Sequence, residues 1–317
     1  MDQLALGNIC EAAAALKEVA HITPIVTSLR LNQVSGATVF LKCEHLQRVG
    51  AFKFRGAYYA VSRIARQFGK RPIVTVSSGN HAQGVALACR LFGLQAHAVM
   101  PRPVNGMKKQ AVLDYGATVH EADDRKQAEE LASSLCQTLQ GTLVHPYDDV
   151  NVMAGQGTIM LELFDQVPQL DVLLAPIGGG GLLSGLCVAA HALDPQMKVF
   201  ACEPGCALDA VHSVRQNRIV PMPNPRTIAD GLCAPLGSRT LPILREHVAG
   251  FFEVAEDEIV EAMRFVFEHL KHMIEPSSAV AVAPLLRGEA VLAGKRVGVI
   301  LTGGNVSPEQ RRQAFMR

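Results

Sequence analysis

DVLLAPIGGGGLLSG, residues Asp171 to Gly185, joins a short apolar run to a helical pattern through four consecutive glycines. Val172 to Leu174 reads as a buried strand that breaks at Pro176, and helical periodicity resumes from Leu182. Glycines without a Cβ let successive backbone N–H groups converge on one anion, and the following helix adds the positive end of its dipole. The spacing therefore predicts an anion cradle on the strand-to-helix turn of an open α/β sheet.

On either side of this stretch the chain alternates strand and helix. Candidate strands are Ala37 to Cys43, Ile73 to Val76, Ala96 to Met100, Thr118 to His120, Leu143 to His145, Val199 to Cys202 and Val297 to Leu301. Helical stretches are predicted for Leu4 to Ala20, from the end of RVGAFKFRGA to Phe68, and from near His81, Asn105 and Arg125. Further ones are Gly155 to Val167, Asp257 to Met273 and Pro276 to Leu286. Such a series builds parallel sheets with right-handed crossovers. The expected fold is two parallel-sheet α/β domains with a cleft between them: residues 1–64 and 149–317 as the large one, 72–148 as the small one.

The candidate motifs share one topological feature. Ser77-Ser78-Gly79-Asn80-His81, the glycine run, Glu203 and Thr302-Gly303-Gly304-Asn305 each begin just past the C-terminal end of a predicted strand. That edge is where open parallel sheets bind ligands, so the four loops are expected to converge on one pocket.

Composition narrows the ligand. A net charge of +1, with 19% charged and 49% apolar residues over 317 positions, leaves no basic footprint for nucleic acid or an anionic membrane. No apolar run is long enough to span a bilayer, since Val85 to Met100 carries Arg90, Gln95 and His97. MDQLALGNIC has an early acid and no basic n-region, so no secretory leader is expected. Eight scattered cysteines without a CxxC pair fit reduced cytoplasmic thiols, and Cys202 with Cys206 is not expected to bind zinc. A small-molecule ligand follows.

Three chemistries compete for these motifs. A dinucleotide site has strand, glycine loop, helix and the acid Glu203 at nearly the right spacing, but Ser184 stands where the fingerprint wants glycine or alanine. A serine hydrolase fails on the spacing around Ser184. The third reading starts from Lys53, set between Phe52 and Phe54, where an apolar environment favours the neutral nucleophilic amine. An amine nucleophile, an anion cradle and polar loops together suit an aldehyde cofactor with a phosphate tail, pyridoxal phosphate. In a fold without such a cofactor, Ser77 and Ser78 are helix N-caps and Lys53 a surface lysine.

ITPIVTS near residue 22, GAFKFRGA, SSGNHAQG, AGQGTI, IGGGGLLSG, IADG, IEPSSA and LTGGN stand in an order that covers nearly the whole chain. In this the sequence resembles the fold-type-II pyridoxal-phosphate enzymes of the threonine/serine dehydratase and serine racemase group, with a tryptophan synthase β-like fold. The resemblance implies that Lys53 is the cofactor-bonding lysine, flanked by Phe52, with Asn80 facing the cofactor's phenolic oxygen. It implies that Gly178, Gly179, Gly180, Gly181 and Leu182 hold the phosphate and that Thr302 meets the pyridine nitrogen. Ser78 matches the acid–base serine of the racemases, and Ser77, Ser78, Asn80 and His81 match the substrate-carboxylate loop. Glu203, the Ala207 carbonyl and Asp209 match a divalent-cation site, and hard oxygen ligands suit Mg²⁺, Mn²⁺ or Ca²⁺.

The activity implied is β-elimination of a hydroxy-amino acid such as L-serine or L-threonine to a 2-oxo acid and ammonia, by a homodimer or higher homo-oligomer. Amino acid racemisation and 3-hydroxyaspartate dehydration are the alternatives, the last with Arg125 as a receptor for the second carboxylate or, more simply, as a solvated charge. The chain also departs from the group. Leu29 and Val49 replace hydroxyl residues of the racemases' nucleotide-effector site, where Ser28, Arg48 and Gln83 remain, so activation by ATP is not expected. Ala51 and the run Leu232-Cys233-Ala234 replace residues near the substrate, which points to a shifted substrate choice.

Overall fold

Val172–Pro176 is buried at every position, the pattern of a strand covered on both faces. In the computed structural model, which describes residues 3–104, 106–222 and 225–315, it lies inside a six-stranded sheet. The strands are β1 (Ile25–Val26), β2 (Thr38–Lys42), β3 (Ile73–Val76), β4 (Ala96–Pro101), β5 (Thr118–Ala122), β6 (Thr142–Leu143), β7 (Val172–Pro176), β8 (Lys198–Pro204), β9 (Val248–Val254) and β10 (Arg296–Ile300). The larger sheet has the order β1-β2-β10-β7-β8-β9 and the smaller one β5-β4-β3-β6. Every pairing is parallel except β1 with β2.

Side chains of the larger sheet alternate between two cores. Leu173, Ala175, Val199 and Ala201 pack into one, and Val172, Leu174, Val297 and Val299 into the other. The smaller sheet divides in the same way, Ile73, Ala98 and Met100 against Val74, Val99 and Ala122. That period of two is what a strand with helices on both faces requires.

Two parallel sheets were legible from the sequence; several boundaries were not. The helix Lys53–Phe68 begins at the lysine itself rather than after Ala57. The strand β7 runs through Pro176 instead of breaking there, and β6 stops before His145. The helix expected over Asp257 to Met273 is Glu256–Phe265 followed by a π turn, Val266–Leu270, and is closed by Lys271 at φ +63°. Pro276 to Leu286 divides into Pro276–Ala279 and Ala283–Arg287. The helix expected from near Asn105 is Gly106–Asp114; Asn105 itself lies outside the described residues.

Candidate active site

Lys53 opens its helix, and the preceding residues are fixed by the loop after β10, the neighbour of β2 in the larger sheet. Ala51 bridges Gly303, and the Phe52 amide donates to the Thr302 carbonyl at 3.0 Å. Val49, a β-branched residue at φ +57°, is held in that strained conformation by Asn305, whose Nδ2 donates to the Val49 carbonyl at 2.8 Å. Two residues beyond Lys53, the buried Arg55 anchors the first turn, with Nε and Nη2 each 2.8 Å from Glu44. Its Nη1 donates to Glu162 at 2.6 Å, and Lys42 Nζ completes that carboxylate at 2.7 Å.

The Lys53 amine enters a cavity of about 660 Å³ between the two sheets. There Nζ donates to the Pro146 carbonyl at 2.9 Å and lies 5.2 Å from the Phe52 ring centre. Burial pushes its pKa down to about 8, against a partial upward pull from Glu275. A lysine tuned this way has roughly a tenth of its amine neutral at pH 7, far more than an ordinary lysine, as a nucleophile or general base needs.

Phe52, Ser77, Ser78, Asn80, His81, the glycine loop from Gly178 to Leu182, and Thr302 line the same cavity. Gly180 caps the helix Gly181–Leu193 at φ +87°, and no side chain caps that helix. The Tyr147 ring is stacked over Gly179, where an added Cβ would come within 2.4 Å of it. Thr240 Oγ1 fixes the loop from behind by donating to the Gly179 carbonyl at 3.0 Å.

Ser77 and Ser78 are not helix caps. The N-cap of Asn80–Phe92 is Gly79, whose amide donates to Ser77 Oγ at 3.2 Å. His81 is buried and held far below the ordinary imidazole range by desolvation, so it enters the site as a neutral ring. Asn80 donates through Nδ2 to Glu275 and accepts at Oδ1 from Asn305 Nδ2 at 2.8 Å. Its amide is thus oriented by two loops of the other sheet.

Glu203 does not line the cavity, so three of the four expected loops converge there. Its carboxylate accepts from the Ala210 and Val211 amides at 2.8 and 3.0 Å. Both of its oxygens are thus engaged by the following helix and away from the cavity, against the dinucleotide reading. Glu203 and Asp209 are both buried, with pKa values raised by desolvation to about 8 and about 7. Asp209 Oδ2 has no hydrogen-bond partner, and Ala207 is fully buried beside them. Two buried acids with an orphaned oxygen fit a divalent cation.

Sequence reasoning assigned no role to Glu275, Tyr147, Lys108 or Asp230. Glu275 is buried, its pKa raised to about 7, and it carries the link to Asn80. Lys108 Nζ meets Asp230 at 2.5 Å, joining a helix of the smaller sheet to the IADG loop. Arg125 is half exposed yet reaches the cavity, donating to the Tyr147 hydroxyl at 3.2 Å. The signal for Glu275 was an acid inside an otherwise uncharged IEPSSA motif; pairs such as Lys108 and Asp230 have no local signature.

Residues 16–303 match the family described as Pyridoxal-phosphate dependent enzyme. The chain belongs to that family. The enzyme is 43% identical over 285 residues to the beta-hydroxyaspartate dehydratase of Paracoccus denitrificans, covering 90% of each chain. It is 40% identical over 311 residues to the serine racemase of Dictyostelium discoideum, covering 96% of each. Its fold matches the structure of maize serine racemase with a TM-score of 0.94 at 36% identity, over 99% of this chain and 97% of that one. It is therefore a fold-type-II enzyme of the serine racemase, threonine deaminase and hydroxyaspartate dehydratase group. The cavity suits the family's cofactor: a desolvated amine at Lys53 for the aldehyde, an uncapped helix N-terminus behind four glycines for the phosphate, and the buried Thr302 for the ring. Among the described residues no helix is long and apolar enough to cross a membrane.

Proposed function

We propose that this enzyme eliminates water from a hydroxy-amino acid, L-serine or L-threonine in the first instance, to give a 2-oxo acid and ammonia. The observation that carries the reading is the Lys53 amine, desolvated to a pKa of about 8 inside a cavity that also holds Ser78 and the glycine loop. When bound, pyridoxal phosphate supplies the aldehyde that takes up the substrate amine and the ring that accepts the electron pair left at Cα. Lys53 is the base that takes the α-proton. Ser77, Ser78, Asn80 and His81, at the N-terminus of Asn80–Phe92, bind the substrate carboxylate. Gly178 to Leu182 grip the phosphate, Phe52 packs beside Lys53, and Thr302 offers the ring a neutral hydroxyl, which suits elimination over transamination. The β-hydroxyl leaves as water, and the released enamine product hydrolyses to the 2-oxo acid and ammonia. Ser78, acting on the opposite face, would deliver its own hydroxyl proton to Cα while Lys53 keeps the one it removed, and give racemisation.

Glu203, the Ala207 carbonyl and Asp209 are read as the seat of a Mg²⁺, Mn²⁺ or Ca²⁺ ion, supported by the orphaned Asp209 oxygen. Residues 72–148 are read as the unit that closes on substrate, supported by the Lys108–Asp230 contact across the cleft. Assembly as a homodimer or larger oligomer is supported by the exposed Ile22 and Leu29 beside the short edge strand β1. The cytoplasm is the compartment that suits eight free cysteines.

A second reading, 3-hydroxyaspartate dehydration, is favoured by Arg125, a guanidinium in the cavity wall suited to a second carboxylate. The test of both is keto-acid release against change of optical rotation over isomers of serine, threonine and 3-hydroxyaspartate. Lys53→Ala should abolish turnover and the bound-cofactor absorbance; retained turnover would end the proposal. Arg125→Ala losing activity on 3-hydroxyaspartate alone would select the second reading.

A further inference from the structure

Outside the cleft, three side chains with soft or borderline donor atoms meet where the chain turns behind the cofactor loops. Cys43 follows β2, His45 lies on the next single turn, and His272 follows the π turn Val266–Leu270. Their ligand atoms, Sγ and one ring nitrogen from each histidine, all lie within 4.8 Å of one another. His45 Nε2 and His272 Nδ1 are 3.0 Å apart, their rings edge to face at 81°.

From this geometry we infer a binding site for a zinc-class cation, held by Cys43 Sγ, His45 Nε2 and His272 Nδ1, that the elimination chemistry does not use. A tetrahedral ion about 2.0–2.1 Å from each nitrogen sets the pair roughly 3.3 Å apart, so the two rings stand a few tenths of an ångström from ligating distance. The Cys43 side must close by more, and Cys43 lies between β2 and a single 3-10 turn rather than inside a helix. Thiolate with two imidazoles selects zinc over the hard cations suited to Glu203 and Asp209.

Two further observations point to a ligand. His45 is 6% exposed, and its Nδ1 has no hydrogen-bond partner, so the ring lacks the satisfaction a buried imidazole ordinarily finds. Nε2, which faces His272 Nδ1, is the nitrogen the ring presents to an ion. In addition, the helix before His272 shifts to a π turn and ends on a non-glycine residue at positive φ, Lys271. Local departures of this kind collect at binding sites. Cys43 and His45 are buried while His272 is half-buried, so an ion enters from the His272 side and its fourth ligand is water or a small anion.

The test uses the cofactor-loaded protein after chelator treatment, in a Cys10→Ser/Cys206→Ser background that removes the exposed thiols. Zn²⁺ is titrated against a competing indicator, and Co²⁺ serves as the spectroscopic probe. The expected result is one zinc equivalent that survives Glu203→Gln, and a Co²⁺ spectrum with tetrahedral bands and a thiolate charge-transfer band that Cys43→Ser removes. His272→Ala, at a half-buried position, should weaken Zn²⁺ binding by at least about tenfold, the loss that even an outer partner of a metal ligand brings. Should His272→Ala bind Zn²⁺ as tightly as the parent, or should the Co²⁺ spectrum show oxygen ligands alone, the site is overturned.

Discussion

Asn80 and Glu275 are joined across the cleft, Asn80 Nδ2 lying 2.9 Å from Glu275 Oε1 and 3.0 Å from Oε2. Asn80 starts a helix of the smaller sheet, whereas Glu275 belongs to the loop whose amide donates to Gly303. The contact sets the Asn80 amide, and it confines a carboxylate among few counter-charges. Burial raises the Glu275 pKa from 4.5 to about 7, with Lys108 and Asn80 opposing the rise.

An acid whose pKa is higher in the folded chain holds more protons folded than unfolded between the two values. Its contribution to stability is present below about 4.5 and is lost as pH rises through about 7. Glu275→Gln removes that slope and keeps one bond to Asn80. Thermal unfolding of the apoprotein across this window should show the parent losing up to roughly 3 kcal/mol that the variant keeps. Parallel pH profiles for the two proteins would show that Glu275 ionises normally.

Lys53 gives the opposite sign. Its folded pKa, about 8, lies below the ordinary 10.5, so the folded apoprotein binds fewer protons than the unfolded chain between these values, and stability rises with pH there. Lys53→Met should abolish that rise and stabilise the apoprotein near neutrality by about 1–3 kcal/mol, less the loss of the bond to Pro146. Chemical denaturation at two pH values measures it, independently of the loss of turnover.

These relationships mark where the sequence stopped being informative. Strand β7 and the glycine loop were legible because apolar run, glycines and helix are contiguous, and local chemistry decides them. Strand β9 was not, because Gly250 interrupts it and its edge position leaves most side chains partly exposed, which blurs the alternation. Ser77, Ser78, Asn80, His81, the glycine loop and Thr302 came from motifs at strand ends, and Lys53 from its apolar neighbours. Glu275 and its partner Asn80 lie 195 residues apart, and His45 and His272 lie 227 apart, so only the folded chain shows these pairs.

Arg55 should be the most sensitive charged position outside the cavity. It is 1% exposed and divides its guanidinium between Glu44 and Glu162, with Thr23 Oγ1 also donating to Glu44 at 2.6 Å. Arg55→Met leaves the buried Glu44 without its cation, while Glu162 keeps Lys42, and breaking a buried pair in this way costs about 3–5 kcal/mol. The denaturation midpoint should fall accordingly. A double variant, Arg55→Met/Glu44→Gln, should recover part of the loss if the uncompensated charge is its source.

The acids at Glu203 and Asp209 should make cation binding depend on pH. With raised pKa values of about 8 and about 7, both hold protons that an incoming Mg²⁺ must displace. Stabilisation of the enzyme by Mg²⁺, read as a melting-temperature shift, should therefore be small near pH about 6 and grow through about 8.5. Glu203→Gln should abolish the shift at both pH values. A shift of equal size throughout would place the ion elsewhere.

Gly179 and Tyr147 form the tightest packing point of the glycine loop. An alanine at 179 would put its Cβ 2.4–2.5 Å from three ring carbons of Tyr147, too close for either to stay. The loop is held by Thr240 on the Gly179 carbonyl, and Tyr147 is held by Arg125 on its hydroxyl, so neither moves freely. Overpacking of this kind costs about 1–3 kcal/mol, and the displaced loop should also bind pyridoxal phosphate at least about tenfold more weakly. Tyr147→Ala opens the space the methyl group needs. The double variant Gly179→Ala/Tyr147→Ala should therefore bind the cofactor better than the sum of the two single losses allows, measured by titrating the apoprotein and following the visible absorbance. Strict additivity would mean that the glycine is required by the anion rather than by the ring.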